Sequence, residues 1–117
     1  MALTVATQIH GDVIVLRCRG RIVFGDEGAV FRERVRSELT GTSKIVIDLS
    51  SVDYIDSGGL GILVGLHIAA KNRGGHIRLV SPSQHVQRVL GETKLNTVFS
   101  IYKSLDEALV AFSGKGA

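Results

Sequence analysis

The residues of this chain best suited to chemistry are Asp56-Ser57-Gly58-Gly59, at the junction between an apolar run and an apolar helical segment. A hydroxyl at the start of a helix sits among unpaired backbone N–H groups and the positive end of the helix dipole, a setting that favours a phosphate. Phosphorylation of Ser57 would add about −1.5 to −2 charges, beside the carboxylate of Asp56. Gly58 and Gly59 carry no side chain, so another molecule could approach Ser57 and its backbone closely. The same spacing also fits a simple cap, with either Asp56 or Ser57 accepting from the first turn.

Other chemistries fit less well. Asp-Ser-Gly-Gly resembles the segment around the nucleophile of trypsin-like proteases, but that chemistry needs a general-base histidine, a buried aspartate and an oxyanion hole. It also needs two β-barrels, about twice the length available in 117 residues. Ile55 and Asp56 stand before Ser57, so there is no Gly-x-Ser-x-Gly elbow. His10, His67, His76 and His85 are scattered and Cys18 is alone, so neither a metal site nor a disulfide is expected. No phosphate-binding Gly-x4-Gly-Lys loop occurs, and no cofactor is expected. Arg17, Arg19 and Arg21 alternate along one strand, and Arg32 and Arg36 share a helix face. Aromatic residues are only 5%, and none interleaves with these arginines, which argues against nucleic acid. An acidic protein partner is the alternative use for the strand arginines.

These residues must be positioned by alternating elements. Residues 2–8 read as a first strand, Gly11-Asp12 as a hairpin turn, and Val13 to Arg19 as a second strand ended by Gly20. Ile14, Leu16 and Cys18 share one face of it. Asp26 reads as the N-cap of a helix bearing Ala29, Val30, Phe31, Val35 and Leu39, broken at Thr40-Gly41-Thr42. Lys44 to Leu49 has the near-continuous apolar character of a central strand. A helix from Ser57 to Arg73 ends at Gly74-Gly75. It is apolar almost all round, so it is either largely buried or presents a docking strip; Gly61 and Gly65 share one side. His76 to Val80 is a strand. Ser81 and Pro82 suit the start of a helix with Val86, Val89 and Leu90 on its apolar side. Val98 to Tyr102 is a last strand, and Ser104 to Glu107 a capping box for a final helix. This order implies a single α/β domain: a mixed, mostly parallel sheet with about four helices packed on it.

Composition agrees. One domain fits 117 residues, with 44% hydrophobic and 21% charged residues excluding disorder. No apolar run reaches the roughly 20 residues of a membrane span. The start lacks a basic then apolar leader, and with one cysteine a reducing, cytoplasmic setting is expected. The formal net charge of +3 is a weak bias towards acidic partners.

Across roughly residues 3–112 the chain resembles STAS domains (sulfate transporter and anti-sigma factor antagonist), specifically bacterial anti-anti-sigma factors. The residues that carry the resemblance are Gly20-Arg21-Ile22, Ile47-Asp48-Leu49 and Val52 through Gly61, with support from Asn72 to Ile77 and from Leu90 to Phe99. The resemblance implies a single domain over 1–117 that is a regulatory module rather than an enzyme, and a monomer or weak dimer. It implies binding to an anti-sigma factor with a GHKL-type serine kinase fold, phosphorylation of Ser57 by that partner, and reversal by a PP2C-type phosphatase. The expected partner surface is Asp56, Ser57, Gly58, Gly59, Leu60 and Gly61, with Val23, Phe24 and Asp26 from the preceding loop. Two positions depart from the family. Gly58 stands where Ser or Thr is common, and the Val23-Phe24-Gly25-Asp26 loop offers an aspartate only at Asp26. A phosphorylation-independent scaffold is the alternative that these departures suggest.

Overall fold

The structure is a computed structural model and describes residues 3–113. β1 (Thr4–His10) and β2 (Val13–Ile22) form the hairpin around Gly11-Asp12. α1 (Asp26–Glu38), β3 (Lys44–Ile55), α2 (Ser57–Asn72), β4 (His76–Val80) and α3 (Gln84–Glu92) follow in strict alternation. A single 3-10 turn at Leu95–Thr97 leads to β5 (Ser100–Tyr102) and α4 (Leu105–Phe112). The sheet order is β1-β2-β3-β4-β5; only the β1–β2 pair is antiparallel. Each parallel step requires a crossover, and α1, α2 and α3 supply them.

Two apolar layers sandwich the sheet. Leu16, Cys18, Ile22, Ile45, Ile47 and Leu49 pack against Phe31 and Val35 of α1, Leu63 and Leu66 of α2, and Val86 and Leu90 of α3. On the opposite face, Val13, Val15, Val46 and Val80 pack under Ala108 and Phe112 of α4. β3 is therefore buried on both sides through Ile45, Val46 and Ile47, as its continuous apolar run requires. No described helix is long and apolar enough to cross a membrane.

Cys18 lies in the first layer, 2% exposed. Burial, aided by the negative charge of Asp48, pushes its thiol up to about 12. The thiolate is the nucleophile, so at pH 8 only about one molecule in ten thousand is reactive. Alkylation by iodoacetamide at that pH should be at least about a hundredfold slower than in urea-unfolded chain, as followed by intact mass. Comparable rates would show that the Cys18 layer opens readily.

Several boundaries differ from those the sequence suggests, each for a physical reason. β1 ends at His10 because its pairing with β2 persists to Val13; Ala2, placed in this strand from sequence, lies outside the described residues. β2 runs through Gly20 to Ile22, and β3 runs on to Ile55, because the two keep pairing to the Ile22–Ile55 step. The N-cap of α1 is Gly25, at φ 138°, with no side-chain cap; Asp26 is the first helical residue. Gly25 takes a backbone angle that an L side chain rarely adopts, and Asp26 and Glu27 still favour the positive helix end. At α3 the cap is Ser83, not Ser81. Its hydroxyl accepts from the Val86 N–H and donates to the Val52 carbonyl at 2.6 Å. Ser81 sits at φ 52°, held by its hydroxyl on the Lys103 carbonyl and its N–H on the Tyr102 carbonyl. β5 begins only at Ser100, since Val98 and Phe99 close the 3-10 turn onto Leu95.

Candidate functional site

The turn from β3 into α2 is built around Asp56. Its backbone is extended and its carboxylate caps the helix, with Oδ1 accepting from the Gly59 N–H at 2.7 Å. The same carboxylate accepts from the Phe24 N–H at 3.2 and 3.3 Å. The Asp56 N–H in turn donates to the Ile22 carbonyl at 3.4 Å. One residue thus joins three segments: its side chain ties the loop after β2 to the start of α2, and its backbone N–H holds the end of β2. Removing it by Asp56→Ala deletes the cap and frees the loop. A loss of about 1–2 kcal/mol in urea unfolding is expected, with Asp56→Asn recovering most of it. A loss no larger than that of an exposed surface alanine would mean the carboxylate does not hold the turn.

Because Asp56 is the cap, Ser57 is not. It occupies the first helical position, exposed, and its hydroxyl makes no hydrogen bond among the described residues. The cap reading of Ser57 is therefore replaced by Asp56, and the hydroxyl is left for solvent or another molecule.

The glycines divide into two kinds. A Cβ on Gly59 would collide with the Ile22 carbonyl, and one on Gly58 would lie 2.5 Å from Phe24 Cβ and 3.0 Å from Phe24 Cα. A Cβ at either position has no room because the end of β2 and the loop after it lie directly on the helix start. That contact explains the departure at position 58: a Ser or Thr there meets Phe24 unless the loop moves. Gly61 and Gly65 are the other kind. Both are exposed, and a Cβ on either would meet nothing within 4 Å. No described residue requires them to be glycine.

The expected partner residues are only partly brought together. Ser57, Gly58 and Gly61 share the outer side of the helix start. Phe24, 84% exposed, stands beside them. A groove of about 340 Å³ runs between α1 and α2, lined among others by Phe24, Ala29, Arg32, Gly58, Gly61 and Gly65. Gly59 and Leu60 face inward and are buried. Val23 is half-buried, with its carbonyl against Gly28. Asp26 lines a different groove, with Val5, Val30 and Arg34 on the β1 side of α1. Ala29 and Arg32 are the additions from structure. In sequence Ala29 passes for core and Arg32 for a solvated helix charge, and only their place across from Gly61 and Gly65 marks them.

Comparison with known proteins agrees with this architecture. The STAS domain profile matches residues 4–108. A protein of Thermotoga neapolitana named as an anti-sigma factor antagonist homologue is 40% identical over 110 residues, 92% of this chain and 96% of that one. The crystal structure of a Thermotoga maritima protein named as an anti-sigma factor antagonist superposes with TM-score 0.85 at 33% identity, covering 92% of each chain. The anti-sigma factor antagonist SpoIIAA in its unphosphorylated form superposes with TM-score 0.78 at 20% identity, covering 95% of this chain and 97% of that one, a likeness of fold. With the turn at Asp56, the five-stranded sheet and these relatives together, the chain belongs to the STAS domain family, among relatives named as anti-sigma factor antagonists.

Proposed function

We propose that this chain is an anti-sigma factor antagonist whose binding to its anti-sigma factor is switched off by phosphorylation of Ser57. The observation that carries this is the free, exposed Ser57 hydroxyl at the head of a helix whose outer side is open and glycine-lined. The relatives named as antagonists support the class of partner. The unphosphorylated state named for SpoIIAA supports phosphorylation as the switch. The partner is read as a GHKL-type serine kinase and the reverse step as a PP2C-type phosphatase; both come from the family resemblance. A reducing, cytoplasmic setting suits such a partner.

The docking surface consists of Ser57, Gly58, Gly61 and Gly65 of α2, with Phe24 and the α1 flank at Ala29 and Arg32. Asp56 and Gly59 hold the turn, while Leu60, Val23 and Asp26 serve the fold around it. Glycine inside a helix costs about 0.5–1 kcal/mol relative to alanine, and here no internal contact repays that cost. Close approach of a partner gives it a reason. Gly61→Ala and Gly65→Ala should therefore each raise stability by about 0.5–1 kcal/mol while weakening the partner complex. Calorimetric melting and titration with the anti-sigma factor read the two effects separately. A gain in stability with unchanged affinity would place the interface elsewhere.

Hydrogen exchange of the complex gives an independent check. Protection should rise at residues 57–66 and 24–32. Protection confined to residues 4–8 and 17–21 of β1 and β2 would contradict the proposed surface. A scaffold that docks independently of phosphorylation is the second reading, favoured by the glycine at 58. In that case Ser57→Ala and wild type, with or without phosphate, bind alike.

A further inference from the structure

α4 covers only half of the sheet face it packs on, the half formed by Val13, Val15, Val46 and Val80. Beyond it no described element covers the face. Cys18 and Ile22 point into the helix-side core, so Arg17, Arg19 and Arg21 point the other way, side by side along β2. All three are exposed. Their neighbours are short or few: β1 sets Ala6 beside Arg17 and Thr4 beside Arg19, and β3 sets Asp48, Ser51 and Tyr54 beside the three arginines in turn.

The charge on this half-face is unbalanced. Asp48 pairs with Arg17 at 3.6 Å and is also engaged by the Ser50 N–H at 2.9 Å. Arg21 lies over the Tyr54 ring at 5.0 Å. Arg19 has no partner among the described residues. Three guanidinium groups thus share the half-face with two carboxylates, Asp48 and the exposed Asp53 in the β3 irregularity between Val52 and Tyr54, which leaves the patch positive on a chain whose whole formal charge is +3. Alternate residues of a strand lie about 6.6 Å apart, and the same spacing separates alternate side chains of any extended peptide.

We propose that this open half-face binds an acidic peptide segment in extended conformation, with alternate carboxylates meeting Arg17, Arg19 and Arg21. Arginine forks suit carboxylates in two-point contact, and Arg19 offers all its donors. The single aromatic ring on the face is already engaged by Arg21 and, at 5.0 Å and 21°, by His85, so no ring is free to stack a nucleic-acid base. The surface lies on the opposite side of the sheet from the α1–α2 groove. An acidic segment there leaves Ser57 free, and the two surfaces can be tested apart.

The probe is a fluorescein-labelled peptide of alternating Glu and Ser, titrated into the full chain at about 50 and 150 mM salt, with oligothymidylate as the competing polyanion. Binding should weaken with salt. Amide shifts should fall at residues 4–8, 17–21 and 48–54, and Arg19→Glu should lower affinity at least tenfold with an unchanged melting temperature. Arg19→Ala should give a smaller loss in the same direction. The proposal is overturned if Arg19→Glu leaves binding unchanged, if the shifts fall on α1 and α2, or if oligothymidylate binds more tightly than the peptide.

Discussion

Gly59→Ala is expected to cost the fold at least about 3 kcal/mol, the largest effect of any single methyl group added at this turn. The reason is geometric. The Gly59 position faces the Ile22 carbonyl and Ile55 Cγ1, and a new Cβ would overlap both. Ile22 pairs with Ile55 in the sheet, and its carbonyl also accepts the Asp56 N–H, so this backbone is held from two sides. It is not the far end of a flexible side chain that can swing away. The helix start must move outwards, which lengthens the 2.7 Å cap bond to Asp56 and loosens Phe24. Urea unfolding should show a lower midpoint with an unchanged slope. Gly61→Ala, two residues on, is the internal control and should change stability in the opposite direction. Equal behaviour of the two variants would contradict the close approach of β2 to α2.

Ser57→Glu is expected to weaken the anti-sigma complex by about a hundredfold or more without weakening the fold. A charge moved into an interface shaped for a neutral hydroxyl loses hydration that nothing replaces, at a cost of several kcal/mol. Each 1.4 kcal/mol is tenfold in affinity. The fold should not suffer, because a negative group in the first turn of a helix gains about 0.3–1 kcal/mol from the helix dipole. The two signs separate a switch from a structural lesion: affinity falls while melting temperature holds or rises. Ser57→Ala should bind nearly as well as wild type, since the hydroxyl has no bond among the described residues to lose. Weak binding by both variants would mean that the hydroxyl itself is a contact rather than a gate.

Much of this architecture is legible in sequence because its signals are local or strongly periodic. The β3 run Ile45-Val46-Ile47, the α2 stop at Gly74-Gly75 and the Ser104 cap with Glu107 all appear where residue types place them. What is not legible depends on residues distant in the chain. Ser81, standing before Pro82, is the cap that the sequence suggests. Only Ser83 can also reach the Val52 carbonyl, and Ser81 is drawn instead to Lys103. Asp26 looks like a cap until Gly25 takes that position at φ 138°.

The site divides in the same way. Asp56-Ser57-Gly58-Gly59 is conspicuous as a motif, but its spacing leaves open which residue caps the helix. The Phe24 and Gly59 N–H groups on one carboxylate decide it. In sequence Gly58 and Gly59 look open to another molecule, yet the structure closes them under Ile22 and Phe24 and leaves the pair at 61 and 65 open instead.

The central claim is that Ser57 is the switch. Its most direct test is to incubate the chain with its anti-sigma factor and ATP and to read intact mass and phosphopeptides. One added phosphate on Ser57, absent from Ser57→Ala and accompanied by release of the partner, is the predicted result. A partner that binds, hydrolyses ATP and leaves Ser57 unmodified, or modifies another residue, would contradict it.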